Sequence, residues 1–341
     1  MSVIATADLH LDNRPDHEYR WEIFDYIETV AKVKKANSII IAGDITDIKD
    51  HHTNQFICKL VERVMQMASA TSCRVFLLKG NHDYIDGDFP LIRVFDHVKV
   101  VAPEKINIVP VWKQDSVWVP GIGVTEFIPH TRGEPEPLKR SEHESPELVV
   151  CHQHFEGAHS SSGDVIPGGD PVFKSIKDSD ALKIAGDIHA PQVVDGVQYL
   201  GAPHPIQFGD DFQPGVWHIN GAKELAFVAH AAVRFIEVRA TKISTIKKQE
   251  PKRGDRVRVH ASMRKLGGKD AFERFHDKAH RWADNNGIVL DVKPIVGRSE
   301  RTKRKAESPQ SHSPEAVLEL FAQAHGIGPE HVEDALNIMQ Q

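Results

Sequence analysis

Short apolar runs alternate with amphipathic stretches over the first 80 residues, and this alternation restricts the fold more than any other feature. Ser2–Ala7, Ser38–Ala42 and Arg74–Lys79 have the length and composition of buried strands. Between them Trp21, Phe24, Ile27, Val30 and Ala31 recur three and four apart, as do Phe56, Leu60, Val61, Val64 and Met67. That is the spacing of a helix with one buried face. Strands joined by such helices pair in parallel, because the chain must cross a face of the sheet to begin the next strand at the same edge.

Farther along, the runs are mainly strand-like: Val98–Val101, Ile106–Val111, Val117–Val119, Leu148–Cys151, Leu182–Ala185, Val197–Leu200, Val216–Ile219 and Leu225–Val228. The architecture expected is α/β, a two-sheet β-sandwich flanked by helices. Gly121–Glu147, rich in proline and charge, and Glu156–Asp170 are expected as exposed loops. A smaller α+β capping unit is expected from residue 231 to 297, after a main domain at 1–230. Within it Arg256–Ala261 alternates like a strand, and Phe272, Phe275, Ala279 and Trp282 share one helix face. Residues 298–313 have the composition of a linker, and 314–341 that of two C-terminal helices that would dock on a partner.

Five polar clusters stand just past the ends of the strand-like runs: Asp8-Leu9-His10, Gly43-Asp44-Ile45-Thr46-Asp47, Gly80-Asn81-His82-Asp83, Cys151-His152-Gln153-His154 and Gly186-Asp187-Ile188-His189. The ends of strands are where α/β folds assemble sites. Each cluster has an ordinary structural reading. Asp44 could cap a helix, Asn81 and Asp83 could form a turn, and His82 could be solvated. Five such coincidences in order argue for a shared site. Carboxylate, imidazole and carboxamide without thiolate suit Mn²⁺, Mg²⁺ or Fe²⁺ better than structural zinc. Two cations ~3.5–4 Å apart need a shared anionic ligand, and Asp44, after the middle strand, is placed to bridge.

This ordered set resembles the calcineurin-like metallophosphoesterases over about residues 1–220. Cys151-His152-Gln153, Gly186–Gln192 and Tyr199–Pro203 followed by Phe208-Gly209-Asp210 resemble, more narrowly, the SbcD-like nuclease subunits of bacterial and phage double-strand-break repair. The resemblance implies the metallophosphoesterase fold and two divalent metal ions, Mn²⁺ foremost. One would be held by Asp8, His10, Asp44 and His189, the other by Asp44, Asn81, His152 and Asp187. His82 would stand beside the scissile phosphate, and Asp44 would act with it in catalysis. Asp47, Asp83, His154 and His204 are expected to support the ligands or touch substrate. Asp187 departs from the family pattern, which has histidine there, and adds negative charge at the second metal.

Charge distribution fits a polyanionic substrate. Net charge is −6, yet Arg234–Lys305 holds 21 Lys and Arg against 9 Asp and Glu, leaving 21 against 39 elsewhere. Arg301, Lys303 and Arg304 are candidate DNA contacts. The expected activity is a two-metal DNA nuclease, exonucleolytic on duplex ends and endonucleolytic on single strands. The resemblance implies an SbcC-like coiled-coil ATPase as partner and admits a homodimer. The alternatives are a phosphoesterase for cyclic nucleotides or phosphoproteins, and a catalytically impaired DNA-tethering module. Three unpaired cysteines, no basic-plus-apolar leader and no apolar run near ~18 residues lead to the expectation of a cytoplasmic protein in a bacterial cell or phage-infected host, off the membrane.

Overall fold

The computed structural model of the chain describes residues 2–86, 89–101, 107–135, 145–221 and 223–296. In chain order the strands are β1 (Ser2–Thr6), β2 (Ser38–Ala42), β3 (Arg74–Leu78), β4 (Tyr84–Asp86), β5 (Phe89–Pro90), β6 (Ile108–Val111), β7 (Asp115–Val119), β8 (Gly123–Ile128) and β9 (Leu148–His152). They continue with β10 (Leu182–Gly186), β11 (Gln192–Val194), β12 (Val197–Tyr199), β13 (Gly215–Asn220), β14 (Leu225–Ala229), β15 (Phe235–Arg239), β16 (Arg256–Ser262) and β17 (Val289–Ile295). The first sheet runs β14-β13-β1-β2-β3-β6 and the second β11-β12-β10-β9-β8-β7. In the first, β1, β2, β3 and β6 are parallel, as the crossover argument requires. In the second, β8, β9, β10 and β12 are parallel and antiparallel strands close both edges.

Period-two alternation assigns the faces. Ile39 and Ile41 of β2 pack beneath the helices, and Ile40 lies in the layer between the sheets. That inner layer holds Val3, Ala5, Phe76, Leu78, Phe127, Val150 and Ile184. Burial on both faces explains why β2 reads as a continuous apolar run. Helices α1 (Ile23–Lys34) and α2 (Asn54–Thr71) cover the outer face of the first sheet with Phe24, Ile27, Leu60 and Val64. Thr53 starts α2 by accepting the Phe56 amide, and Ser72 ends it in the left-handed region. On the far face of the second sheet, Phe155, Phe173, Ile176 and Tyr199 form a third apolar layer.

Two expectations are corrected. Val98–Val101 is not a strand but the last turn of α3 (Val94–Val101). Phe95, three residues after Ile92 and four after Leu91, packs with both in the first core at the start of that helix. Within Gly121–Glu147, expected as a loop, Gly123–Ile128 is the strand β8, largely buried between β7 and β9. Its apolar run is broken by Thr125 and Glu126, which are buried all the same; Glu126 accepts a hydrogen bond from Gln114 at 3.0 Å.

The strands β15, β16 and β17 form a separate parallel sheet against the helix Lys269–Asn286, with Val257, Val259, Phe275 and Ala279 in its core. Arg256 joins this small sheet to the main body: its guanidinium bonds the Asp16 carboxylate and carbonyl and lies over the Tyr19 and Phe235 rings. Among the described residues no helix is long and apolar enough to cross a membrane. The expected linker, the C-terminal helices and Arg301, Lys303 and Arg304 lie outside the described residues.

Candidate metal centre

The C-terminal ends of β1, β2, β3, β9 and β10 meet at one edge of the sandwich, and the five polar clusters emerge there. The chain turns abruptly after these strands. Asp8, His10, Asp44 and Asp187 all have positive φ, between 44° and 91°. Non-glycine residues rarely adopt this region, though Asp and His tolerate it better than most. It is held here by hydrogen bonds: the Asp8 amide to the Gly43 carbonyl and the His10 amide to the Asp44 carbonyl, each at 3.0 Å, and the Asp187 amide to Asp8 Oδ1 at 3.0 Å. The curl lets Asp8 and His10, two apart in sequence, serve one cluster.

Close approach selects the glycines of the motifs. A Cβ on Gly80 would stand 2.1 Å from Asp44 Oδ1, and one on Gly43 2.1 Å from His152 Nδ1. No larger residue lets these loops pack.

Of four triads among the described residues with one donor atom per residue within 4.8 Å of one another, three gather here: Asp8, His10 and His189; His10, Asp44 and His82; Asp8, Asp44 and His152; the fourth is Asp12, His17 and Asp47. Asp44 Oδ1 lies 3.2 Å from His152 Nε2, and Asp44 Oδ2 lies 3.8 Å from His10 Nε2 and 4.0 Å from His82 Nε2. Asp187 Oδ1 is 3.6 Å from His152 Nε2. The Nε2 atoms of His10 and His189 approach to 3.0 Å, which requires a proton or a cation between them. His152 donates Nδ1–H to the Ala42 carbonyl at 2.7 Å, directing Nε2 into the cluster, the usual second interaction of a metal-binding imidazole. His82 is oriented likewise by Nδ1–H donated to the Asp47 carbonyl at 2.8 Å.

The donor set fits two divalent cations. Asp8 Oδ2, Asn81 Oδ1 and His152 Nε2 are all buried without a hydrogen-bond partner, a costly arrangement unless a ligand satisfies them. Protonation follows the same logic. Burial, with Asp44 and Asp187 nearby, pushes the Asp8 carboxyl up to about 7 against the pull of His152 and His10. Burial would lower His152, but Asp44 and Asp187 outweigh it and hold the imidazole well above its ordinary value. Burial would raise Asp44, yet His152, His10 and His82 hold it below the usual carboxylate range. His189 is driven down to about 4, by burial and then by His10. The carboxylates thus demand positive charge, which protons on histidine supply when cations do not.

The remaining expected residues surround the cluster. Asp47 faces Arg14 and Arg20, with Oδ1 3.5 Å from His10 Nδ1. Asp83 braces the loops by accepting the Gly80 amide at 2.7 Å and the Thr46 amide at 3.1 Å. His204 is buried and donates Nε2–H to the Leu9 carbonyl at 2.9 Å, holding the turn between Asp8 and His10. His154 lies beside the cluster in a cavity that also borders Asn81 and Asp187.

Sequence reasoning passed over two residues. Arg20 is fully buried and donates to the carbonyls of His10 and Ile206; nothing in a polar stretch marks one arginine as interior. His130 has its ring centroid 6.4 Å from that of His152. It follows β8, so reading that strand would have placed another histidine at the productive edge.

A family model described as calcineurin-like phosphoesterase matches residues 1–191, more than half of the chain. No curated protein matches it.

Proposed function

Because the chain belongs to the calcineurin-like phosphoesterase family, whose members hydrolyse phosphoester bonds with divalent metals, we propose that this protein is a two-metal DNA nuclease. The reading extends to an exonuclease on duplex ends and an endonuclease on single strands, SbcD-like, acting in the cytoplasm with an SbcC-like ATPase docked on residues 314–341. Mn²⁺ is the preferred metal in this reading, since every candidate ligand is oxygen or imidazole nitrogen.

The observation that carries the choice of a polynucleotide over a small substrate is the basic sheet anchored near the metal centre. Between Arg234 and Val296 there are 16 Lys and Arg against 8 Asp and Glu. Arg256 ties that unit to Asp16 and Tyr19, and the adjoining Arg20 holds the His10 carbonyl. Lys247, Lys248, Lys252 and Arg253 are exposed, as groups that bind a phosphate backbone must be.

Bound cations, held by Asp8, His10, Asp44 and His189 and by Asp44, Asn81, His152 and Asp187, would neutralise phosphate charge and ease deprotonation of water. The protein's own residues do the rest. Asp44 lies within reach of both ligand sets. His82 keeps Nδ1–H on the Asp47 carbonyl, so Nε2 alone faces the cluster and can carry a proton to a leaving oxygen. His204 and Arg20 fix the backbone around His10. No side-chain nucleophile is required.

Turnover of linear duplex DNA against 2′,3′-cyclic nucleotides, with Mn²⁺ supplied, tests the proposal. DNA should be degraded with much the higher kcat/KM. Efficient hydrolysis of the cyclic nucleotides with DNA untouched would replace it with a small-substrate phosphoesterase.

A further inference from the structure

Beside Asn81 and Asp187 the fold leaves a cavity of about 350 Å³, walled further by His130, Arg132, Gln153, His154 and Asp170. His130 Nδ1 and His154 Nε2 are shut off from solvent, so the atoms left to meet a ligand in the cavity are His130 Nε2 and His154 Nδ1, neither of which makes a hydrogen bond among the described residues. Neither histidine belongs to any triad of clustered donor atoms among the described residues, so the metal centre does not account for them. Gln153 is committed elsewhere: its amide donates to Asp170 Oδ2 at 2.6 Å, and its Oε1 accepts from the Thr131 amide at 3.4 Å. The first of these bonds also occupies Asp170, which lines the cavity together with Asp187. Arg132 is exposed and forms no ion pair among the described residues. The lining contains no Phe, Tyr, Trp, Leu, Ile or Val.

Such a wall offers a nucleobase little to stack on, but it offers an anion a guanidinium and two imidazoles that can donate. We infer that this cavity is a subsite for a second phosphate, the one flanking the scissile phosphodiester in a polynucleotide, with Arg132, His130 and His154 as its donors. The inference rests on the nuclease reading and deepens it. A cyclic nucleotide presents one phosphate, whereas a nucleic acid strand brings a neighbour at a fixed spacing to occupy this position.

The test compares three dinucleotides with Mn²⁺ supplied: TpT, its 5′-phosphorylated form and its 3′-phosphorylated form. Linear DNA and bis-p-nitrophenyl phosphate serve as further substrates. One phosphorylated dinucleotide should be cleaved with kcat/KM at least tenfold above that of TpT. Arg132→Ala, at an exposed position where folding is not at risk, should bring the ratio towards one, and His130→Gln and His154→Gln should do the same. A wild-type ratio near one for both phosphorylated forms would overturn the subsite, and so would a ratio that none of the three variants changes. If the wild type instead leaves DNA and bis-p-nitrophenyl phosphate intact, the nuclease reading fails and the subsite goes with it. Cleavage of both without discrimination among the dinucleotides removes the subsite alone.

Discussion

Two histidines near the metal centre differ in what surrounds them, and the difference predicts how their variants behave. The His82 side chain reaches the cluster only through Nε2, 4.0 Å from Asp44 Oδ2, and is 24% exposed, while its backbone amide, which any substitution but proline keeps, donates to Asp44 Oδ1 at 3.0 Å. His82→Ala should therefore keep two metals per chain, measured by elemental analysis, while kcat falls about 10²–10⁴-fold. Asp44→Ala should lower the metal content itself, because both proposed ligand sets share that carboxylate, which lies in two of the donor clusters. Metal loss in the first variant, or full occupancy in the second, would reverse these roles. His204 has no solvent contact, and burial first, then the positive charges of Arg20 and His10, push its pKa well below the ordinary value. Above about pH 6.5 the imidazole is neutral in the folded and unfolded chain and contributes nothing. As pH falls below that, the unfolded chain takes up a proton that the folded chain refuses, so stability declines. The slope from this one group is up to about 1.4 kcal/mol per pH unit. Urea unfolding of metal-free protein at pH 7.5 and 5.5 should show a smaller acid loss in His204→Gln than in the wild type. Identical pH dependence would mean that His204 is protonated in the fold.

At the scale of elements, the site depends on loops packed too tightly for a side chain. Gly80→Ala puts a methyl carbon where Asp44 Oδ1 now sits, 2.1 Å away, with the Asp44 backbone nitrogen at 2.3 Å. Backbone cannot yield as a flexible side chain can, so the loop after β3 must retreat from the loop after β2. Metal affinity by calorimetry should fall at least tenfold, about 1.4 kcal/mol; undiminished affinity would show slack between the loops. Elements also mark where reading from sequence fails. The strands β1, β2 and β3 are buried on both faces, so their apolar runs are continuous and visible. The strand β8 carries Thr125 and Glu126 into the interior, where hydrogen bonds, among them Gln114 to Glu126 and Thr125 to the Gly123 carbonyl, make that burial tolerable. A partner supplied from outside the strand leaves no trace in the local pattern. Val98–Val101 fails for the opposite reason: three valines around one lysine suit a strand or a helix, and Leu91, Ile92 and Phe95 in the first core decide for the helix.

The whole molecule joins an acidic, metal-collecting edge to a basic sheet, and this division of charge governs any encounter with nucleic acid. Reversing charge at Arg301, Lys303 and Arg304 should weaken DNA binding uniformly across sequences and flatten its dependence on salt, by about one unit of slope for each phosphate no longer neutralised. An unchanged slope, read from binding isotherms at several salt concentrations, would remove that segment from the interface. Much of the molecule is contained in residue order alone. Parallel pairing follows from strand–helix–strand alternation, and the concentration of Asp, Asn and His at strand ends follows because those ends share one edge of a parallel sheet. Tertiary structure decided the rest: the left-handed turns that swing Asp8 and His10 into one cluster, the arginine buried at position 20, the histidine at 130 and the polar cavity it borders. Strand order and side-chain alternation are short-range consequences of chain geometry. Which distant groups lose water together, and which are left needing a partner, is determined only when two sheets close on each other.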